Sequence, residues 1–250
     1  MRIKSLLIAT VAALALSACG SESGTTGSVQ GEPVAKVAAP AGKAWVDVVS
    51  KTGEGGYLIG NPDAKIKLVE YASVTCSHCA DFDAEGYEPL FADYVGTGQV
   101  NLEIRNFLLN PYDIPISILT RCSGPEAYVA LTQQFYQNQR TVLDAMSKVD
   151  PATIEAAMKL PEAERFVAMA QAMGVIEFFK ARGVSEDQAK ICLADPNAPK
   201  ELIAMTEKAA KELKVTGTPS FFLNGQILEM ANTPSVWTQV KTRLQEAGAR

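Results

Sequence analysis

The sequence predicts a small α/β fold split by a long helical insertion. Three observations carry this. A β-rich run, Ile66-Lys67-Leu68-Val69-Glu70-Tyr71, is followed by a helical pattern and then by an alternating segment from Val100 to Leu108. A block of about 100 residues, 112–214, shows almost no strand signal. Two apolar runs joined by Asn224-Gly225 then give the strongest hairpin signal in the chain.

Taken in order, Trp45 to Val49 reads as an edge strand. Asn61-Pro62-Asp63 and Ser73 bound the strand at Ile66–Tyr71. After Cys76, the residues Phe82, Tyr87, Leu90, Phe91 and Tyr94 recur at roughly helical spacing, and Gly96-Thr97-Gly98 ends the run. Val100 to Leu108 is a second strand. Ala, Leu, Met, Gln, Glu and Lys dominate the block that follows. Pro115, Gly124-Pro125, Pro151, Pro161, Gly183 and Pro196 divide it into short helices. Lys200 to Lys214 is the longest clean amphipathic stretch. Phe221-Phe222-Leu223 and Gln226 to Glu229 are the hairpin strands, and Pro234 to Glu246 is a closing helix. The α/β unit therefore has a first part at 45–111 and a second at 200–250, with the insertion proper at 112–199.

The N-terminus sets the expected compartment. Arg2 and Lys4 precede an apolar run, Leu6 to Leu16, which has the length of a signal-peptide core and is too short to span a bilayer. Leu16-Ser17-Ala18-Cys19 resembles a bacterial lipobox. The expectation is removal of residues 1–18 and lipidation of Cys19; a plain signal-peptidase cut elsewhere is the alternative. Residues 19–44, rich in Gly, Ser, Thr, Ala and Pro, read as a flexible tether. Removing Arg2 and Lys4 takes the formal charge from −5 to 21 − 28 = −7. An acidic chain with no basic cluster argues against nucleic acid as a partner.

Of the five cysteines, Cys19 is assigned to lipid, which leaves Cys76, Cys79, Cys122 and Cys192. Cys76-Ser77-His78-Cys79 sits at a strand-to-helix junction and contains the chain's one histidine. A structural zinc site needs four ligands, usually in two close pairs, and Cys122 and Cys192 form no second pair. A purely structural disulfide across so small a loop would constrain little chain entropy. A helix N-terminus is where thiol reactivity is created, so the redox reading is favoured. In an oxidising compartment the even count makes Cys122–Cys192 a structural disulfide with buried sulfurs; two separate buried thiols are the alternative.

With Glu70, Cys76-Ser77-His78-Cys79 and Thr218-Pro219 in this order around a helical block, the chain resembles a DsbA-like periplasmic thiol–disulfide oxidoreductase, a thioredoxin fold with a helical insertion. The resemblance runs from about residue 45 to the end. It implies that Glu70 is a buried acid beneath the CxxC, able to relay the proton of the inner cysteine. Strand alternation agrees, placing Glu70 on the face of Ile66 and Leu68, although an exposed edge-strand Glu stays open. It also implies that Thr218-Pro219 is a cis-proline loop facing the CxxC and docking the substrate strand; an ordinary trans turn is the alternative. Phe221-Phe222 is core.

Cys76 is expected to attack. Helix N–H groups, the helix dipole and His78 would stabilise its thiolate, make it a good leaving group and make the Cys76–Cys79 disulfide oxidising. Cys79, one turn deeper, would resolve mixed disulfides. Oxidising relatives usually carry Pro-His between the cysteines, and Ser77 departs from that pattern. The resemblance implies reduced cysteines of unfolded exported proteins as substrates and a DsbB-like quinone-linked membrane protein for re-oxidation. It further implies a monomer in the periplasm, membrane-anchored by lipid, with no cofactor and no metal. A disulfide isomerase or reductase on the same scaffold, a thiol enzyme dedicated to one partner, and a non-enzymatic binding lipoprotein are the competing readings.

Overall fold

The computed structural model describes residues 31–250. The expected export signal, Cys19 and the start of the tether lie outside the described residues. Six strands form one sheet: β1 (Val49–Lys51), β2 (Tyr57–Gly60), β3 (Ile66–Ala72), β4 (Val100–Asn106), β5 (Ser220–Leu223) and β6 (Gln226–Ile227), in the order β1-β2-β4-β3-β5-β6. β3 and β4 are parallel, with Ile66 opposite Val100 and Ala72 opposite Asn106. The other pairs are antiparallel. A parallel pair needs a crossover. Here it is the helical run α1 (Ser77–Phe82), a π-helical turn Asp83–Tyr87, α2 (Glu88–Leu90) and a second π-helical turn Phe91–Val95. The sequence reads this run as one regular helix. The structure differs around Pro89, which has no N–H to donate to the helical ladder.

The insertion comprises α3 (Asp113–Arg121), α4 (Pro125–Met146), α5 (Pro151–Met158), α6 (Glu162–Ala172), α7 (Val175–Lys180) and α8 (Glu186–Ala194). α9 (Asn197–Glu212) returns the chain to the sheet, three residues before the boundary expected at 200. α10 (Val236–Glu246) closes the fold, its N-terminus capped by Ser235 rather than Pro234. The hairpin turn at Asn224-Gly225 has positive φ at both residues (49° and 83°), the conformation for which Asn-Gly is suited.

Three apolar clusters hold these layers. The first packs Leu68, Leu102, Ile104 and Phe221 of the sheet against Phe82, Tyr87, Leu90 and, from α10, Val240 and Leu244. The second fills the insertion with Ile116, Leu119, Phe135, Met169, Phe179 and Leu193. The third places Tyr71 and Phe222 under Ala209 of α9, on the sheet's other face. α4 is the seam: its Tyr128 and Tyr136 belong to the first cluster, its Leu131 and Phe135 to the second. Burying one such side chain contributes roughly 1.5–3 kcal/mol, so the sheet-to-insertion junction is a stable platform.

Three expectations are corrected. Trp45 does not open a strand: Trp45–Asp47 is a 3-10 turn, and the edge strand starts at Val49. β2, a four-residue strand of the sequence Tyr-Leu-Ile-Gly, was not anticipated. Residues 31–37, read as part of a flexible tether, are bonded to the body. Gly31 N–H donates to Glu246 O (2.7 Å), Val34 N–H to Gly248 O (2.9 Å) and Val37 N–H to Thr97 O (2.9 Å). The Trp45 indole N–H donates to Val37 O at 2.7 Å. Backbone pairing overrides the polar composition here.

Candidate active site

The β3–α1 junction places the two free cysteines. Cys76 is the N-cap of α1 with an extended backbone (φ −78°, ψ 121°), so its side chain stands at the start of the helix. Cys76 is 8% exposed and Cys79 1%. This is the outer and inner pair that a reactive CxxC requires. Cys76 Sγ lies 3.2 Å from the carbonyl oxygen of Thr218, and the Thr218-Pro219 bond is cis. As a thiol, Cys76 donates to that carbonyl. As a thiolate it is stabilised first by a hydrogen bond from Cys79, then by the Thr218 side chain and the backbone N–H groups of Cys79 and His78. These outweigh burial and bring the Cys76 pKa down to about 6. The Thr218 hydroxyl is buried and has no hydrogen-bond partner among the described residues, and the hydrogen bond that the sulfur makes to this residue is to its carbonyl. Burial pushes the Cys79 thiol well above its ordinary range, and its hydrogen bond to Cys76 adds to this. The two sulfurs are thus driven apart in acidity, with the outer one ionised near neutral pH.

Glu70 is fully buried beneath them. Tyr87 Oη donates to Glu70 Oε2 at 2.6 Å, while Oε1 has no partner among the described residues. Burial raises the Glu70 pKa to about 8, and Asp83 and Cys76 push in the same direction. A carboxyl that holds its proton near neutrality, electrostatically coupled to Cys79, suits proton exchange with the inner thiol.

His78 stands elsewhere. Its side chain is 76% exposed, with Nδ1 3.5 Å from Asp81 Oδ2. What it supplies to Cys76 is the backbone N–H, not the imidazole. Phe221, in the core against Phe82 at a ring-centroid distance of 4.7 Å, is a packing residue. Cys122 and Cys192 are joined by a disulfide that links the end of α3 to α8; the pair is half-buried rather than buried, because it lines a surface cleft with Arg121 and Glu201.

Several residues at the site escaped the sequence reading. Asp83 is buried, one oxygen has no partner among the described residues, and burial raises its pKa to about 6. Its place four residues after Cys79, on the same helical face, was the available signal. Asp113 of α3 accepts from Ser73 Oγ (2.7 Å) and Thr75 N–H (3.1 Å) with one oxygen, and from Leu109 N–H (2.7 Å) and Asn110 N–H (3.1 Å) with the other. Tyr136 and Gln139 of α4 reach the same junction. No local pattern marks any of these three.

Cysteines separated in acidity over a buried carboxyl, on a sheet with a parallel crossover, define a thiol–disulfide oxidoreductase of the thioredoxin fold. A family model described as thioredoxin matches residues 52–240, and the chain belongs to that family. The solved structure of a protein-disulfide isomerase from Novosphingobium aromaticivorans is 32% identical, with a TM-score of 0.68 over 75% of this chain and 96% of that one. Wolbachia pipientis alpha-DsbA1 shares the fold (TM-score 0.58, 18% identity, 78% of this chain and 92% of that one). A Rickettsia bellii protein named as a protein-disulfide oxidoreductase is 28% identical over 80% of this chain and 69% of its own length. The chain thus spans about two thirds of that relative. No helix among the described residues is long and apolar enough to cross a membrane.

Proposed function

We propose that the protein is a disulfide donor for exported proteins with reduced cysteines. The observation that carries this reading is the opposed acidity of Cys76 and Cys79 beside the cis Thr218-Pro219 loop. In the oxidised enzyme a substrate thiolate attacks Cys76 Sγ. The Cys76–Cys79 bond breaks, a substrate–Cys76 mixed disulfide forms, and Cys79 leaves as a thiolate that takes a proton from Glu70. A second substrate thiolate then attacks the substrate sulfur of the mixed disulfide. The substrate disulfide forms and Cys76 leaves as its stabilised thiolate. Two electrons pass from substrate to enzyme. A quinone-linked membrane oxidase of the DsbB-like kind would remove them again. Thr218 and Pro219 dock the substrate strand, and His78 acts through its N–H. Cys122–Cys192 staples the insertion. The protein acts as a monomer without cofactor or metal, exported to the periplasm and lipidated at Cys19.

Equilibration with glutathione tests the reading. A Cys76–Cys79 pair markedly more oxidising than glutathione supports a donor. A pair as reducing as thioredoxin, about −270 mV, would reject it. The likeness to the Novosphingobium isomerase favours one second reading, isomerisation of wrong disulfides. Recovery of scrambled ribonuclease without added oxidant would select it.

A further inference from the structure

Residues 73–76 join β3 to α1 and belong to neither element, so their backbone groups have no strand ladder to satisfy them. The insertion supplies the partners. Tyr136 Oη donates to Ser73 O at 3.1 Å. Gln139 Nε2 donates to Val74 O at 2.8 Å and to Cys76 O at 2.9 Å. All three bonds are buried, and Gln139, one turn along α4 from Tyr136, has both amide hydrogens engaged. Asp113 takes the donors of the same segment, Ser73 Oγ and Thr75 N–H. Carbonyls therefore go to α4 and donors to α3.

We propose that Gln139 and Tyr136 are positioning residues of the redox centre, holding the carbonyls of Ser73, Val74 and Cys76 turned into the insertion so that Cys76 Sγ keeps the first-turn N–H groups and Thr218. In a trans peptide the carbonyl and the next N–H point in opposite directions, so fixing Val74 O towards α4 also aims Thr75 N–H at Asp113. Ser73 O also accepts from Cys76 N–H (3.2 Å) and Cys76 O from Ala80 N–H (3.3 Å), so Val74 O is the carbonyl that depends on Gln139; released from α4 it is a buried acceptor without a donor, a state costly enough to rotate the peptide. Rotation would bring a carbonyl dipole towards the sulfur in place of N–H groups, and the thiolate would lose stabilisation. The insertion thus sets the acidity of Cys76 as well as covering it.

The inference rests on Cys76 being the reactive thiol. Its readout is thiolate absorbance of the reduced protein, which reports the clamp whether or not the protein oxidises substrates. Gln139→Met keeps the side-chain length and removes both donors. Its Cys76 midpoint should rise by about one unit, a tenfold loss of thiolate below the midpoint, and its oxidising equilibrium with glutathione should fall in step. Tyr136→Phe, which loses one hydroxyl, should move both about threefold and serves if Gln139→Met does not fold. Phe179→Leu loosens the packing against Phe135 of α4 without removing a hydrogen bond to residues 73–76, so it should lower the Tm and leave the Cys76 midpoint in place. Wild-type midpoints in the α4 variants, or an equal shift in Phe179→Leu, would overturn the proposal.

Discussion

At the residue scale, the acidity of Cys76 depends on a few donors, and they are not equal. The Thr218 hydroxyl is a side-chain donor, so Thr218→Val should raise the Cys76 midpoint from about 6 towards that of a free thiol. His78→Leu should move it less, because the histidine contributes its backbone N–H and its ring is exposed beside Asp81. Thiolate titration of the two variants side by side ranks them; a larger shift in His78→Leu would restore the imidazole to the centre. Glu70 gives a stability prediction with a definite sign. Its folded pKa is raised from 4.5 to about 8, so the fold favours the neutral acid. The stability this lends is fully present below pH 4.5 and is lost as pH rises through about 8. Urea unfolding of the reduced protein should show that decline, on the order of 5 kcal/mol, in wild type. Glu70→Gln should lack it and should also slow the departure of Cys79 from the Cys76–Cys79 disulfide when substrate attacks.

At the scale of elements, what the sequence disclosed follows from where the information sits. β3, β4, the hairpin and α10 carry their patterns locally, through alternation, Asn-Gly and amphipathic spacing, and these were legible. β2 is four residues between a glycine-rich turn and Asn61-Pro62-Asp63, too short for alternation to show. The π-helical turns flank α2, whose Pro89 has no N–H for the helical ladder, and a spacing rule does not reveal them. The site divides in the same way. Glu70, Cys76, Cys79 and Thr218-Pro219 belong to short contiguous motifs. Asp113, Tyr136 and Gln139 matter through bonds that span 38 to 65 positions, and only folding brings them to the junction. The disulfide between α3 and α8 joins positions 70 apart. Replacing both Cys122 and Cys192 with Ala should cost about 2–4 kcal/mol of stability. The Cys76 titration should stay unchanged, since α3 keeps Asp113 in place. Differential unfolding and titration of the double variant separate the two effects.

At the scale of the whole molecule, the two ends of the sheet have different duties. β3 and β4 run parallel, so Cys76 leaves the C-terminal end of β3, whereas Thr97 to Gln99 lead into the opposite end of β4. Residues 31–37 lie across that opposite end, tied to Thr97, Glu246, Gly248 and Trp45. Two glycines make room for them. A Cβ on Gly98 would come within 2.5 Å of Val37 O, and one on Gly248 would overlap Glu32 O; both glycines have positive φ, 74° and 98°. Gly248→Ala therefore combines a steric clash with backbone strain and should release the start of this segment. Val34 would then lose its packing on the first core, and Gln99, which donates to Val34 O, would lose its acceptor. The expected cost is about 1–3 kcal/mol, read as a lowered Tm and as faster proteolysis near residue 34. Because the CxxC stands at the other end of the sheet, the Cys76 midpoint and the glutathione equilibrium should match wild type. A shift in either would mean that the segment acts on the redox centre across the sheet rather than only bracing the far end.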